Sequence, residues 1–307
     1  PAVAGRWYEG TPPALKREVE RYLSKAKPDP QTKGRLMALI EPHAGYVYSG
    51  RTAAYGYKLL EKGKIKRVIL LGPSHYPSRD HPLGFKGVSI PDVKFYQTPL
   101  GLVPVDRKTC DALMKKDLFK MIPDVHRREH SLEAQLPFLQ HRLGETFEIV
   151  PILCGRLEGD EIKTVADVLK DYLTEKTLVV VSSDFTHYGR RFGYVPFRTD
   201  VKENLKKLDL GAVKRIVAGD EKEFLKYQRA TGATICGRLP IAVLLAMLPE
   251  NATGELLHYT TSGAMTGDYA MSVSYATISF RVDGEAKGAK AVEMGELTAD
   301  EQAMLLA

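Results

Sequence analysis

The chain has 307 residues, of which 44% are hydrophobic, so it is long enough for one or two domains with a sizeable core. No apolar run approaches the ~20 residues that a membrane span needs, and the first residues lack the basic-then-apolar pattern of a secretory signal. We therefore expect a soluble, cytoplasmic protein without a membrane partner.

The net charge is +6, but basic and acidic residues alternate closely, as in residues 16–21. Such interleaving is typical of a solvated helix face, so we expect no nucleic-acid partner. The cysteines, Cys110, Cys154 and Cys236, are odd in number and far apart in the sequence. This spacing argues against a disulfide framework and against a structural zinc knot.

Predicted strands and helices alternate along most of the chain. Thr11 followed by two prolines predicts a helix that begins at residue 12. The next patterns predict a strand at 35–40, a helix ending near 60, a strand at 67–71 and edge strands or a hairpin within 77–104. They are followed by a helix near 106–117, helical spacing over 132–139, a strand at 148–154, a helix at 160–173 and a strand at 177–182. The last patterns predict charged helices over 199–229 with breaks at Gly211 and Gly219, a helix at 241–248, and two mutually paired strands at 255–261 and 271–280.

This alternation predicts an α/β fold. We expect a single-domain sandwich over residues 1–281, with a central mixed, largely parallel sheet flanked by helices. Residues 282–307 are expected to form a C-terminal extension, in which the capping-box spacing Thr298-Ala-Asp-Glu301 begins a short helix.

Three of the predicted buried strands run into histidines. His43 and His75 each follow an apolar strand and a proline, and His187 follows the strand at 177–182 together with Asp184. Ligands of open α/β sheets gather beyond the carboxyl ends of the strands, so we expect one shared site. Neutral imidazole is a common metal ligand, although a single histidine in this position is more often an ordinary loop residue.

Asp184 and His187 are three residues apart in one loop. A carboxylate there could fix the tautomer of the imidazole and leave its other nitrogen as a general acid or base. The alternative is a turn in which Asp184 caps the backbone.

Cys236 precedes an apolar helix, whose N-terminus would lower the pKa of the thiol and suit a metal ligand or a nucleophile. His130 and Glu133 have a spacing that can place both on one helix face, which is an unspecific signal. Trp7, Tyr46 and Tyr48 adjoin polar loops. Packing is the commoner role of such aromatic residues, but they could also contact a substrate or a peptide.

Five motifs in this order resemble the Memo family, and the resemblance extends to about residue 280. They are Pro42-His-Ala-Gly-Tyr46, Gly72-Pro-Ser-His75, Glu129-His-Ser-Leu-Glu133, Ser182-Ser-Asp-Phe-Thr-His187 and Thr234-Ile-Cys-Gly-Arg238. The resemblance implies a fold similar to the class III extradiol dioxygenases and a metal triad at His43, His75 and Cys236. It also implies that Asp184, His187 and His130 lie in the same pocket, and that Trp7 and Tyr48 match aromatic positions linked to peptide binding.

The dioxygenases hold their metal through two histidines and one carboxylate. In this chain Cys236 takes the position of the carboxylate, so the resemblance does not extend to that ligand. A thiolate favours iron or copper, allows zinc, and makes ring cleavage doubtful. We therefore expect metal-dependent redox chemistry on an unknown small molecule or protein substrate. The alternatives are a peptide- or protein-binding module and a Cys/His or metal-dependent hydrolase. The resemblance further implies a functional link to radical-SAM and AmmeMemo proteins.

Overall fold

The structure is a computed structural model that describes residues 1–76 and 84–282. Its helices are α1 (Pro12–Lys25), α2 (Tyr46–Tyr57), α3 (Arg107–Leu113), α4 (Pro123–His126), α5 (Leu136–Leu143), α6 (Glu161–Lys170), α7 (Val201–Val217), α8 (Glu221–Thr231), α9 (Arg238–Met247) and α10 (Ser262–Thr266), with 3-10 turns at Glu133–Gln135 and Arg190–Phe192. Within these described residues, no helix is long and apolar enough to cross a membrane.

The strands follow the predicted alternation with the helices. They are β1 (Arg35–Glu41), β2 (Arg67–Pro73), β3 (Val88–Ser89), β4 (Phe95–Thr98), β5 (Gly101–Pro104), β6 (Phe119–Lys120), β7 (Glu148–Cys154), β8 (Thr177–Ser182), β9 (His187–Gly189), β10 (Thr253–Thr261) and β11 (Met271–Val282). The predicted C-terminal extension lies outside the described residues, except for residue 282 at the end of β11.

One large sheet has the strand order β10-β11-β1-β8-β2-β7-β3-β6, and β9 pairs with β11. The four central strands β1, β8, β2 and β7 are parallel to one another, whereas β11 and β3 join them antiparallel. As predicted, β10 and β11 pair antiparallel, and β4 and β5 form a separate hairpin. These pairings confirm the predicted mixed, largely parallel sheet flanked by helices.

The central strands are apolar along their whole length because both faces of the sheet are covered. Val179, Val180, Ile69 and Leu70 are all 0% exposed. Helices α1, α2 and α5 contact one another, and α2 packs on β1. A second group, α6, α8 and α9, packs on β2 and β8 through α9. Since β1, β2 and β8 are parallel, the loops that follow them all leave from one edge of the sheet.

The predicted helix break at Gly211 is wrong, because α7 continues through it. A Cβ atom at this glycine would lie 2.2 Å from the Tyr227 hydroxyl of α8. Gly211 therefore permits two helices to approach closely and does not end one. The break predicted at Gly219 is real, since this residue adopts φ +72° between α7 and α8.

Candidate metal centre

Three histidines meet beyond the carboxyl ends of the parallel strands. His43 follows β1, His75 follows β2, and His130 lies between α4 and the next 3-10 turn. One nitrogen from each ring can be chosen so that all three lie within 4.8 Å of one another. The ring centres of His75 and His130 are 4.4 Å apart, and each lies 5.1 to 5.4 Å from that of His43. We call these residues the histidine cluster.

The tautomer of His43 follows from its hydrogen-bond partners. Ser182 Oγ has one hydrogen to donate, and it donates this hydrogen bond to the Ser131 carbonyl at 2.6 Å. The same oxygen accepts a hydrogen bond from Gln135 Nε2 at 2.8 Å. Gln135 Nε2 also donates to the Pro42 carbonyl, which fixes the orientation of its amide. Ser182 must therefore accept from His43 Nδ1, which is 2.8 Å away. His43 Nε2 keeps its lone pair, the form in which imidazole binds metals.

The Glu129 carboxylate fixes His75 in a similar way. Its Oε1 accepts a proton from His75 Nδ1 at 2.9 Å, and its Oε2 accepts the backbone N–H of the same residue at 2.6 Å. Two further backbone N–H groups, of His130 and Ser131, donate to Oε1 at 2.8 Å. Burial alone would raise the pKa of Glu129, but the hydrogen bond and charge of His75 outweigh it and lower this pKa to about 2. The ionised carboxylate leaves His75 Nε2 free, an arrangement typical of metal-ligating histidines.

Burial keeps two members of the histidine cluster neutral. It lowers the pKa of His43 well below the ordinary value, and the charge of His75 lowers it further. Burial, followed by the charges of His43 and His75, lowers the pKa of His130 to about 3. His130 Nδ1 is buried without a hydrogen-bond partner in residues 1–76 and 84–282, 3.5 Å from the Glu129 carboxylate. An orphaned nitrogen among neutral imidazoles is consistent with a bound cation.

Cys236 lies beside the histidine cluster, next to His43. Its Sγ is 3.2 Å from His43 Nε2 and accepts the backbone N–H of Asp184 at 3.2 Å. Because His43 Nε2 carries a lone pair, the thiol can donate a hydrogen bond to that nitrogen, and the Asp184 carbonyl at 3.5 Å is its other acceptor. Burial, and then the charge of Asp184, raises the pKa of Cys236 and outweighs the lowering expected from the helix N-terminus. A coordinating metal reverses this preference by displacing the thiol proton.

Asp184 does not orient His187, contrary to the prediction. Its Oδ1 accepts the backbone N–H of His43 at 2.8 Å and that of the following residue at 3.3 Å, which is the backbone-capping alternative. His187 Nδ1 instead lies 3.0 Å from the Phe185 carbonyl and 3.1 Å from the Thr234 carbonyl. Both partners can only accept, so Nδ1 carries the ring proton and Nε2 is the proton acceptor.

The first eight residues, here called the N-terminal strap, are anchored beside the histidine cluster by Glu133. The Glu133 carboxylate accepts three hydrogen bonds from the strap: the Ala2 N–H at 2.5 Å, the Val3 N–H at 3.0 Å and the Tyr8 hydroxyl at 2.6 Å. This anchoring places the Trp7 ring 4.2 Å from the His130 ring. Glu133 therefore binds the N-terminal strap. It does not share a helix face with His130, as their spacing in the sequence suggested.

The aromatic residues predicted to contact a ligand have different surroundings. Tyr46 is only 2% exposed and its hydroxyl donates to the Ala134 carbonyl, so it is a core residue and its prediction as a ligand contact is wrong. Tyr48 is 40% exposed, and Trp7 is half-buried against His130. Of these three side chains, Trp7 and Tyr48 are accessible to a ligand.

Two side chains that fix the cluster, Glu129 and Ser182, could not be assigned a role from the motifs that contain them. The available signal was their position, since Glu129 directly precedes His130 and Ser182 ends the strand before Asp184. Which imidazole each one contacts depends on pairings across 54 and 139 residues of chain, which no local spacing reveals.

Comparison with known proteins agrees with the motif resemblance. The family model described as Memo-like protein matches residues 1–279. A memo-1 homolog of Caenorhabditis elegans is 35% identical over 89% of this chain and 80% of its own length. A MEMO1 family protein of Methanopyrus kandleri is 35% identical over 92% of this chain and 98% of its own length.

The human protein MEMO1 is 33% identical over 89% of this chain and 94% of its own length. The crystal structure of an uncharacterized Escherichia coli protein aligns with 80% of this chain and 99% of its own chain at 11% identity, with a TM-score of 0.46. The family match and the extent of these identities establish that this chain belongs to the Memo family.

Proposed function

We propose that this protein binds iron or copper through His43, His75 and Cys236 and uses the metal in redox chemistry. The observation that carries the proposal is the pair of imidazoles whose second nitrogens are occupied by Ser182 and Glu129, beside a cysteine sulfur 3.2 Å from His43 Nε2. Such support of the ligands by neighbouring groups is characteristic of metal sites.

The donor set guides the choice of metal. Two imidazoles and a thiolate are softer than two imidazoles and a carboxylate, so they suit copper(I), zinc or a redox-active iron. Iron or copper would supply one-electron chemistry when bound, whereas zinc would not. His130 is the competing third ligand, because its nitrogen belongs to the histidine cluster and Cys236 lies at its side.

Other residues of the pocket would act on protons and on solvent access. His187 Nε2 is the unprotonated nitrogen and would accept a proton from a substrate. Asp184 positions the loop that carries His43 through the backbone N–H of that residue. Trp7 covers one side of His130 and would exclude water from that side. The substrate would be an unknown small molecule or protein. We also propose a functional link to radical-SAM and AmmeMemo proteins.

The test is metal content by mass spectrometry of untagged protein, compared with His43→Ala, Cys236→Ser and His130→Ala. We expect near-stoichiometric iron or copper in the parent and its loss in the first two variants. Metal retained in His130→Ala would support Cys236 as the third ligand. Metal lost in His130→Ala but retained in Cys236→Ser would identify His130 as the third ligand instead. His258→Ala, which removes a half-buried histidine outside the cluster, is the matched control and should keep its metal.

The redox proposal fails if the parent, reconstituted without oxygen, takes up no more metal than His43→Ala. It also fails if the metal that the purified protein retains is zinc alone, because zinc cannot change its oxidation state under these conditions.

A second candidate is a binding module that captures a peptide without turnover. It is favoured by two accessible aromatic rings, that of Trp7 against His130 and that of Tyr48, which is 40% exposed. In that case Cys236→Ala would leave peptide binding unchanged. The Cys/His hydrolase alternative, with Cys236 as nucleophile and His187 as base, has less support, because burial raises the pKa of the Cys236 thiol and disfavours the thiolate nucleophile.

A further inference from the structure

A cavity of about 450 Å³ opens beside the candidate metal centre. Its lining includes His75 and Cys236, and therefore any molecule inside it can reach the proposed ligands. The size lies in the range of small-molecule sites, which is roughly 300–1,000 Å³. The cavity is thus a direct approach to the centre from the side of β7 and α9.

Two arginines bring positive charge to this cavity, and both also line a neighbouring surface cavity whose wall includes Glu158 and Glu221. Arg156, just after β7, and Arg238, the first residue of α9, both line the cavity beside the metal centre, and none of its described lining residues is Asp or Glu. Neither guanidinium has a hydrogen bond or an ion pair within residues 1–76 and 84–282. Elsewhere in the protein, Arg67 is paired with Asp106 at 2.7 Å. Two unpaired arginines at one opening therefore create a positive field that a ligand can neutralise.

Part of the remaining wall is apolar. Phe85, Leu239 and Pro240 line the cavity together with the arginines and the metal-site residues. Phe85 is 1% exposed, and its carbonyl accepts the Arg156 backbone N–H at 2.7 Å. A cavity that combines apolar side chains with positive charges matches a ligand that has an apolar body and one anionic group.

We propose that Arg156 and Arg238 bind the oxyanionic group, a carboxylate or a phosphate, of a small molecule whose apolar body lies along Phe85, Leu239 and Pro240. This deepens the proposed function, because the far end of the molecule would face His75 and Cys236 and be the substrate of the metal centre. Guanidinium groups suit this task, since their planar fork pairs with two oxygens of one anion. The positive N-terminal end of α9 at Arg238 adds to the field.

The experiment is isothermal titration calorimetry with two probes, benzoate and phenyl phosphate, on metal-free and metal-loaded protein. The variants are Arg156→Gln, Arg238→Gln and the double substitution. Arg229→Gln is the matched control, because that arginine lines a neighbouring surface cavity and not this one. Each single substitution should weaken binding of the preferred probe by roughly tenfold, as for one charge-assisted hydrogen bond, and the double substitution should abolish it.

The control should stay within about twofold of the parent. A preference for benzoate would identify a carboxylate ligand, and a preference for phenyl phosphate would identify a phosphate ester. The proposal is overturned if neither probe binds the parent, or if the double variant binds as tightly as the parent. Metal content is measured on the same samples. Arginine-dependent binding to protein that takes up no metal would refute the metal proposal alone, and metal uptake without probe binding would refute the anion site alone.

Discussion

His258 on β10 and His43 at the end of β1 are both histidines whose pKa is lowered by burial, to about 4 for His258. Their neighbours differ. His258 Nδ1 lies 3.0 Å from Thr52 Oγ1, and its ring stacks on Tyr55 at 4.3 Å. In the described part of the chain, His258 belongs to no group of three side chains that could hold a metal. His43, by contrast, has its lone-pair nitrogen directed to Cys236.

A lowered histidine pKa therefore reports mainly desolvation, which any packed histidine experiences. A candidate site requires in addition that several free nitrogens converge. In the histidine cluster, the Nδ1 atoms of His43 and His75 have hydrogen-bond partners and His130 Nδ1 is buried. The other ring nitrogens therefore remain available together. Around His258 a single hydrogen bond and a stacked ring satisfy one isolated side chain.

The largest expected effect comes from removing the charge that supports His75. Glu129→Gln should weaken metal binding about 10- to 100-fold, because the ionised carboxylate orients the imidazole and raises its basicity. Thr52→Val removes the corresponding partner of His258 and should leave metal affinity unchanged. Competition with a chelator measures both. Equal losses in the two variants would contradict the distinction between the cluster and His258.

A smaller effect is expected at the N-terminal strap. Glu133→Gln should reduce the free energy of unfolding by about 1–2 kcal/mol, because three donors lose a charged acceptor. Trp7 is the single tryptophan of the chain, so its fluorescence reports the contact with His130 without interference. We expect a red-shifted emission in Glu133→Gln at unchanged helix content. An unaltered spectrum would show that the strap is held by other contacts.

The smallest effect concerns the pH dependence of stability at His258. Its proton is bound at a pKa of 6.5 in the unfolded chain and at about 4 in the folded protein, so the unfolded state holds more protons between these values. Its contribution to stability therefore falls as the pH decreases from 6.5 to 4. His258→Asn should not show this loss. The difference in unfolding free energy between the parent and this variant should therefore change by about 1 kcal/mol between pH 7 and pH 4.5. A difference independent of pH would contradict the assigned burial.

Much of the fold could be predicted, because the strands have a local signal. The apolar runs that form β1, β2, β7 and β8 are each visible in a few consecutive residues, and the proline pair at Pro12 marks the start of α1. The break predicted at Gly211 was wrong because its cause is a contact with Tyr227 from another helix. The prediction of one domain over residues 1–281 stays a prediction.

The sequence by itself determined that His43 and His75 each follow an apolar strand, since the end of a strand is a local property of the chain. Tertiary pairing made these two strands parallel, with β8 between them. Only the tertiary structure decided that His130 joins the two histidines, that Asp184 caps the His43 loop and leaves His187 to two carbonyls, and that Tyr46 is in the core. These outcomes depend on which distant donor and acceptor meet once water is excluded. A buried polar group takes the partner that the packing supplies, and residue spacing contains no information about that partner.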